Sequence, residues 1–480
     1  MKKVNILLLS ALVATLTAGC GGKDSSSTEL QHDPVTITYA SWDLGSEDAE
    51  APNIERMMID EFEKQYPWIT VNIIERPKNP GTDIEQNWTE FLSSRAAVTK
   101  LPDVFMVDNL PNNILNNWVM NISDVVKNDS EYQLLSEAAR EAAVYKGMTF
   151  AVPRAIHYQG YIVNKTLFHE QGAEIPTAST SFDDLISAVK EAAVHEQGGK
   201  GIAGNEFIEH IIHIFPALLN SDYDWFTFNP DTETFHLDSE EFRQAVDYYL
   251  NIYEDKKICY DALTTEERIS FFGEGDLFPG GKMLTKWQGS WQLGSWQKSK
   301  DDGTINFALD FIGFPSVNGV KKTPMSMDFT AVSSQTKQPE EAYMLAKWLG
   351  FGKEGYAKRL ELSTTVDGLS VVNYAPLIND KELLDSYFAL YPNFKEYRKV
   401  VESQSFIFEP VKSMVGYDDV RYNGRYDGEH IMNDIVNSVL TGATKLADVS
   451  TQLNKRANEI YKESNKAFDE AIEKYYITAK

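Results

Sequence analysis

Strand and helix patterns alternate along the chain from residue 35 onward. Residues 35–42 (VTITYASW) are β-branched and aromatic, which predicts a strand. Residues 53–66 carry apolar side chains at helical spacing, and residues 69–74 predict a second strand. A helix is predicted at 88–98 and a third strand at 103–107. Strands separated by helices pair in parallel through right-handed crossovers, so this order predicts an α/β fold with mostly parallel sheets flanked by helices.

The alternation continues to the end of the chain. Further strands are predicted at 149–153, 161–164, 283–287 and 307–314. Further helices are predicted at 181–195, 207–220, 242–255, 339–349 and 448–476. A chain of 480 residues with no internal repeat suggests two to three ordinary domains or two large lobes.

The composition excludes several classes of function. The chain has 45 basic and 71 acidic residues, for a net charge of −26. This balance argues against binding nucleic acid or an anionic membrane through a basic patch. The two cysteines, Cys20 and Cys259, allow neither a disulfide framework nor a cysteine-based zinc site. His210 and His213 lie at helical spacing without further ligands, so we expect no metal and no cofactor.

The N-terminus has the pattern of a lipoprotein signal. Two lysines precede an apolar run at 4–16, which is too short to cross about 30 Å of hydrocarbon. The run ends in LTAGC, which resembles the box in which bacteria cleave before a cysteine and attach acyl groups such as palmitate. We predict a signal peptide at 1–19 and a flexible tether at 20–33, lipidated on Cys20 and held at the cell membrane. The alternative is an ordinary secretion signal with an incidental cysteine.

A series of short segments runs along the rest of the chain. They are FEKQYPWITV at 62–71, LPDV at 101–104, YIVNKTLF at 161–168, SFDDL at 181–185, GKM at 281–283, GSW at 289–291 and PEEA at 339–342. In this order, behind a lipoprotein signal, they resemble family 1 of the extracellular solute-binding proteins. These are the maltose-binding-protein-like proteins that feed ATP-binding-cassette (ABC) sugar importers.

The resemblance implies a two-lobed periplasmic-binding-protein fold, hinged by crossing segments. The crossings would lie near 151–159, 307–315 and 352–363. The lobes would be 34–152 plus 313–355 for lobe 1 and 156–310 plus 360–480 for lobe 2. The family binds its solute in the cleft between the lobes and delivers it to permease subunits. We expect the protein to be a monomer.

Aromatic and planar polar residues are the candidates for a sugar site, because pyranose rings have apolar faces and a rim of hydroxyls. The resemblance places Trp291 on the family's aromatic platform, with Trp287 beside it. The ends of the first and third strands add Trp42, Asp43, Asp108 and Asn109. The alternative for the tryptophans is the core, and for the strand ends it is local turn chemistry.

The resemblance adds four further candidates. His157 and Tyr158 follow the first crossing, Asp328 lies in the lobe of the third, and Tyr417 precedes the final helices. A glutamate of the family falls on His157, so the identity of the sugar does not carry over.

The sequence leaves two other functions open. One is a surface glycan-processing enzyme, although no catalytic motif or carboxylate spacing supports it. The other is a ligand-sensing lipoprotein that partners a receptor. We expect a binding protein and no enzyme.

Overall fold

The computed structural model describes residues 32–45, 51–82, 84–206, 208–403 and 405–478. The predicted signal peptide and nearly all of the predicted tether lie outside these residues. The strands are β1 (Val35–Ala40), β2 (Ile69–Ile73), β3 (Val104–Val107), β4 (Val144–Tyr145), β5 (Met148–Thr149), β6 (Val152–Asn164), β7 (Ala203–Glu206), β8 (Phe228–Asn229), β9 (Thr234–Phe235), β10 (Met283–Gly289), β11 (Leu309–Gly313), β12 (Thr323–Val332) and β13 (Phe406–Phe408).

The helices flank these strands. They are α1 (Ile54–Gln65), α2 (Trp88–Ala96), α3 (Leu110–Leu115), α4 (Ser123–Asn128), α5 (Glu137–Glu141), α6 (Lys165–Glu170), α7 (Phe182–Ala192), α8 (Ile211–Leu219), α9 (Glu240–Glu254), α10 (Thr265–Phe272), α11 (Leu293–Asp301), α12 (Pro339–Leu349), α13 (Lys353–Thr365), α14 (Lys381–Ala389), α15 (Lys395–Glu402), α16 (Met432–Leu440) and α17 (Leu446–Ile472). Within the described ranges, no helix combines the length and apolar character needed to span a membrane.

One large sheet runs through the molecule in the order β2-β1-β3-β12-β6-β10-β7, with β11 beside β6 and β13 beside β12. The pairs β1–β2, β1–β3, β7–β10 and β12–β13 are parallel. The antiparallel pairs of this sheet all contain one of its two long strands, β6 or β12, and two separate antiparallel hairpins are formed by β4–β5 and β8–β9. The predicted α/β class is confirmed.

Strand β6 connects the two halves of the sheet. Its first half pairs with β12, from Val152 to Tyr158, and its second half pairs with β10 and β11. The sequence pattern predicts two separate strands here, at 149–153 and 161–164. The structure joins them into one strand, in which the polar residues that interrupt the apolar pattern are also buried.

Side-chain caps set several helix starts. Ser181 Oγ accepts the backbone N–H of Asp184 at 3.1 Å, which confirms the cap predicted for α7. Asn53 caps α1 and Asn109 caps α3 in the same way, which satisfies backbone donors that a helix leaves unpaired.

Buried apolar side chains form two clusters. The first surrounds β1, β3 and β12, and the second surrounds α7, α8 and α9. Helix α17 contacts both, with Leu453 in the second cluster and Phe468 in the first. The predicted crossing at 352–363 lies mostly within α13, and the lobe boundaries stay a prediction.

Candidate functional site

A cavity of about 520 Å³, here called the main cavity, opens where β1 ends beside the middle of β6 and β12. Its walls combine aromatic rings with charged and amide groups. They are Trp42, Asp43, Arg154, Ala155, His157, Trp291, Gln292, Ser326, Asp328, Asn373, Tyr374, Glu409, Val411 and Lys412. This volume lies in the range of roughly 300–1,000 Å³ that is typical of small-molecule sites.

The turn after β1 places Trp42 and Asp43 in the main cavity. The hydroxyl of Ser41 accepts the backbone N–H of Asp43 at 2.9 Å and fixes this turn. Asp43 then accepts a hydrogen bond from Arg154 Nη2 at 2.9 Å. Burial raises the pKa of Asp43, although Arg154 opposes the shift.

A buried carboxylate behind the cavity holds Arg154 in place. Glu55 is fully buried and lies 2.8 Å from Arg154 Nη2 and 2.9 Å from Arg359 Nη2. Tyr39 donates to its other oxygen at 2.5 Å. Burial alone would raise the pKa of Glu55, but the two guanidinium groups outweigh it and lower this pKa to about 2.

The main cavity is also lined by a second charged cluster. Asp328 forms an ion pair with Lys412 and lies 3.2 Å from His157 Nε2. Burial would raise the pKa of Asp328, but His157 and Lys412 together hold it below its ordinary value. The Lys412 ammonium lies 5.5 Å from the centre of the Trp42 ring, close enough for a cation–π contact.

Trp291 lies on a short 3₁₀ turn, Ser290–Gln292, directly after β10. It is 37% exposed, although it is a large aromatic residue. Its ring meets His157 edge-on at 5.6 Å, and its carbonyl accepts the Asn373 amide at 3.1 Å. Trp291 therefore presents an open aromatic surface to the main cavity.

A smaller cavity of about 230 Å³, here called the side chamber, adjoins the main cavity and shares Glu409 and Val411 with it. It is rich in aromatic and imidazole rings. The other walls are Glu209, His210, His213, Trp225, Tyr417, Arg421, Tyr422, Asn433 and Asn437. Tyr417 is buried here, and its hydroxyl accepts Trp225 Nε1–H at 2.9 Å.

Residues 46–351 match the family described as bacterial extracellular solute-binding protein. The chain belongs to this family. A comparison with curated protein sequences gives no match.

Solved structures share the fold of this solute-binding protein. An ABC substrate-binding protein from Listeria monocytogenes, in complex with cycloalternan, is 20% identical, with a TM-score of 0.66 over 90% of this chain and 100% of that chain. The cyclic α-maltosyl-1,6-maltose binding protein of Arthrobacter globiformis is 16% identical, with a TM-score of 0.61 over 90% of this chain and 100% of that chain. The sugar-binding protein MalE of Xanthomonas citri is 14% identical, with a TM-score of 0.62 over 91% and 99%. These likenesses show the two-lobed α/β fold.

The main cavity brings together five of the residues expected from the sequence. They are Trp42, Asp43, His157, Trp291 and Asp328. Tyr417 lines the side chamber instead.

Four other expected residues of the solute-binding protein lie outside both linings. Asp108 accepts hydrogen bonds from the side chains of Thr89 on α2 and Asn113 on α3, so its carboxylate is engaged by these two helices. Asn109 donates to Asp418 at 2.8 Å. Tyr158 packs on Phe406, on the other side of β6 from the cavity. Trp287 is stacked on His210 at 4.0 Å and is 8% exposed, so it supports the side chamber from behind.

Sequence reasoning missed several cavity residues. They are Arg154, Gln292, Ser326, Asn373, Tyr374, Glu409, Val411 and Lys412. Arg154 had a usable signal, since a charged side chain within a long apolar strand needs a buried partner. Glu409 and Lys412 follow β13, whose three residues are too few to show a period.

Two polar atoms of the main cavity are buried and unsatisfied. Within the described part of the chain, His157 Nδ1 and the Tyr374 hydroxyl have no hydrogen-bond partner. Because the carboxylate of Asp328 can only accept, Nε2 of His157 carries the proton of this contact. Two residues of the cavity wall thus each keep one polar atom that no described protein group satisfies.

The remaining chemistry is sparse. Among the described residues, no group of three or more His, Cys, Asp and Glu side chains is arranged to hold a metal ion. Burial raises the pKa of the Cys259 thiol to about 12, so it stays protonated at neutral pH.

Proposed function

We propose that this protein captures an oligosaccharide in the main cavity and hands it, chemically unchanged, to an ABC importer. The observation that carries the proposal is that Trp42 and Trp291 line one cavity with the planar polar groups of Asp43, Arg154 and Asp328. Aromatic rings suit the C–H faces of a pyranose, and planar polar groups suit its hydroxyl rim.

The charges of the main cavity are nearly balanced, which favours a polyhydroxylated guest in this part of the site. Asp43, Asp328 and Glu409 face Arg154 and Lys412. Each cation already has a carboxylate partner, through Asp43 and Asp328. The paired groups keep free lone pairs and N–H bonds for sugar hydroxyls.

The length of the site supports an oligosaccharide over a single sugar. The side chamber adjoins the main cavity at Glu409 and Val411, so we propose that one ligand extends over both. The structural relatives named above include proteins for cycloalternan and for cyclic α-maltosyl-1,6-maltose. A multi-ring ligand is in keeping with this size.

Ligand binding would select the closed state of the two lobes, since only a closed cleft contacts the ligand from both sides. We place the movement about the long strands β6 and β12, which connect the halves of the sheet. The closed form would be the one that the permease recognises.

Anchoring rests on the sequence alone. We propose that acyl chains on Cys20 hold the protein on the outer face of the cell membrane, because two or more chains give stable attachment. Cys20→Ser should move the protein from the membrane fraction to the medium. Retention of the variant in the membrane fraction would contradict the anchor without touching the binding proposal.

The binding proposal is tested with a panel of oligosaccharides, polyols, amino acids and polyamines. A ligand at 100 times its Kd should stabilise the protein by about 2.7 kcal/mol. Chromatography of the same mixtures should return the ligand unchanged. Stabilisation by amino acids or polyamines alone would overturn the carbohydrate assignment, and new products would favour the enzyme alternative.

A further inference from the structure

The side chamber contains a buried cation without an acidic partner. Arg421 is 5% exposed, and its Nε donates to His213 Nε2 at 3.1 Å. Its Nη1 donates to the amide oxygen of Asn433. Among the described residues, no Asp or Glu forms an ion pair with this guanidinium. Arginines are rarely buried without a counter-charge, so this arrangement is incomplete as it stands.

A second observation at the same place is an unfilled donor. Since arginine can only donate, His213 Nε2 must accept and carries no proton. Burial, with Arg421 and His210 adding to it, lowers the pKa of His213 well below its ordinary value, so the ring is neutral. Its single proton therefore lies on Nδ1, which is buried and has no partner in the described part of the chain.

Aromatic rings hold both groups in place. The Arg421 guanidinium lies 5.4 Å from the centre of the Phe226 ring and 5.2 Å from that of Tyr422. Trp225 stacks on His213 at 5.6 Å with an interplanar angle of 13°. A guanidinium fixed in this way is a pre-organised fork for a planar or tetrahedral oxyanion.

The carboxylates of Glu209 and Glu409 also line the chamber, but neither forms an ion pair with Arg421. Glu209 is exposed at its rim. Glu409 accepts from Gln159 Nε2 at 2.5 Å, and burial raises its pKa. Neither neutralises Arg421, so the positive charge stays available inside the chamber.

We propose that the side chamber binds an anionic group, a carboxylate or a sulfate, carried by one end of the oligosaccharide. The transported solute is then an acidic oligosaccharide with its neutral part in the main cavity. This inference rests on the proposed function and narrows it to a substrate class.

The test uses tetrasaccharides in matched pairs that differ only in charge. One pair is tetragalacturonate and its methyl ester, a second is a sulfated carrageenan tetrasaccharide and its desulfated form, and maltotetraose and cellotetraose extend the neutral set. Calorimetry on the mature protein should show at least a tenfold tighter Kd for the acidic member of a pair. The pair that binds identifies carboxylate or sulfate as the group.

Substitutions at Arg421 separate recognition from folding. Arg421→Gln should bring the affinity ratio of the pair close to one, and Arg421→Lys should leave an intermediate ratio because it keeps charge but loses the fork. The unliganded Tm of Arg421→Gln should be unchanged or higher, because a buried unpaired charge is removed. Arg425→Gln, the same change at an exposed arginine, should keep the wild-type ratio.

Each remaining outcome decides between the two proposals. Neutral members that bind as tightly as acidic ones, or acidic members that fail while a neutral one binds, would overturn the acidic group and leave carbohydrate capture intact. A large fall in the Tm of Arg421→Gln with an unchanged ratio would assign Arg421 a structural role. Binding of no saccharide in the set would count against the proposed function itself.

Discussion

The indole of Trp291 lies against the backbone of Gly289, where a Cβ atom would come within 2.1 Å of the ring. Gly289 is the last residue of β10, so the exposed Trp291 ring packs directly on the end of this strand. The missing side chain is what lets the ring occupy its place in the main cavity.

Gly289→Ala should therefore displace Trp291 and weaken ligand binding. A contact of 2.1 Å is far inside van der Waals distance, and the bulky ring must move. We expect about a tenfold loss of affinity, or roughly 1.4 kcal/mol, measured by calorimetry. Gly428→Ala is the control, since nothing lies within 4 Å of a Cβ there. If Gly289→Ala binds the ligand as tightly as the wild type, the position of the Trp291 ring does not determine affinity.

Trp291→Ala and Trp287→Ala should separate binding from stability. Trp291 lines the main cavity, so its removal should abolish the ligand-induced thermal shift. Because Trp291 is 37% exposed, its removal should leave the unliganded Tm nearly unchanged. Trp287 is 8% exposed and packs on His210 and Tyr161, so its removal should cost about 3–5 kcal/mol of unfolding free energy. A large Tm fall for Trp291→Ala would place that residue in the core.

Much of the fold was predictable because its elements follow simple periods. The α/β order, the cap at Ser181 and the bounds of α12 all agree with the sequence pattern. Strand β6 was predicted in two parts, because Arg154 and His157 break its apolar run. Their burial depends on Glu55 and Asp328, which are far away in sequence and invisible to a local pattern.

The site was predictable only in part, for a related reason. The predicted ends of the first and third strands pointed to Trp42, Asp43 and Asp108 as site residues. Trp42 and Asp43 do line the main cavity. The carboxylate of Asp108 instead accepts hydrogen bonds from Thr89 and Asn113. The same residue type serves a cavity or a turn, and only tertiary contacts distinguish the two.

Lys412→Met should weaken ligand binding by roughly tenfold, or about 1.4 kcal/mol. The substitution removes the ion-pair partner of Asp328 and the cation beside Trp42. Titration calorimetry measures the affinity, and a change in tryptophan emission should report the altered surroundings of Trp42. Lys395→Met removes an exposed lysine on α15 and should change neither. Equal affinities of wild type and Lys412→Met would remove Lys412 from the site.

Glu55→Gln should destabilise the protein most at neutral pH. The amide leaves Arg154 and Arg359 buried without their shared carboxylate, which typically costs about 3–5 kcal/mol. The ordinary pKa of Glu55 is 4.5 and the folded value is about 2, so its contribution is complete above about pH 4.5 and is lost as the pH falls through about 2. The difference in unfolding free energy between wild type and variant should therefore shrink over that range. Denaturant melts at pH 7, 4 and 2.5 measure it, with Glu340→Gln as an exposed control. A difference that stays constant with pH would mean that Glu55 acts through packing, and not through its charge.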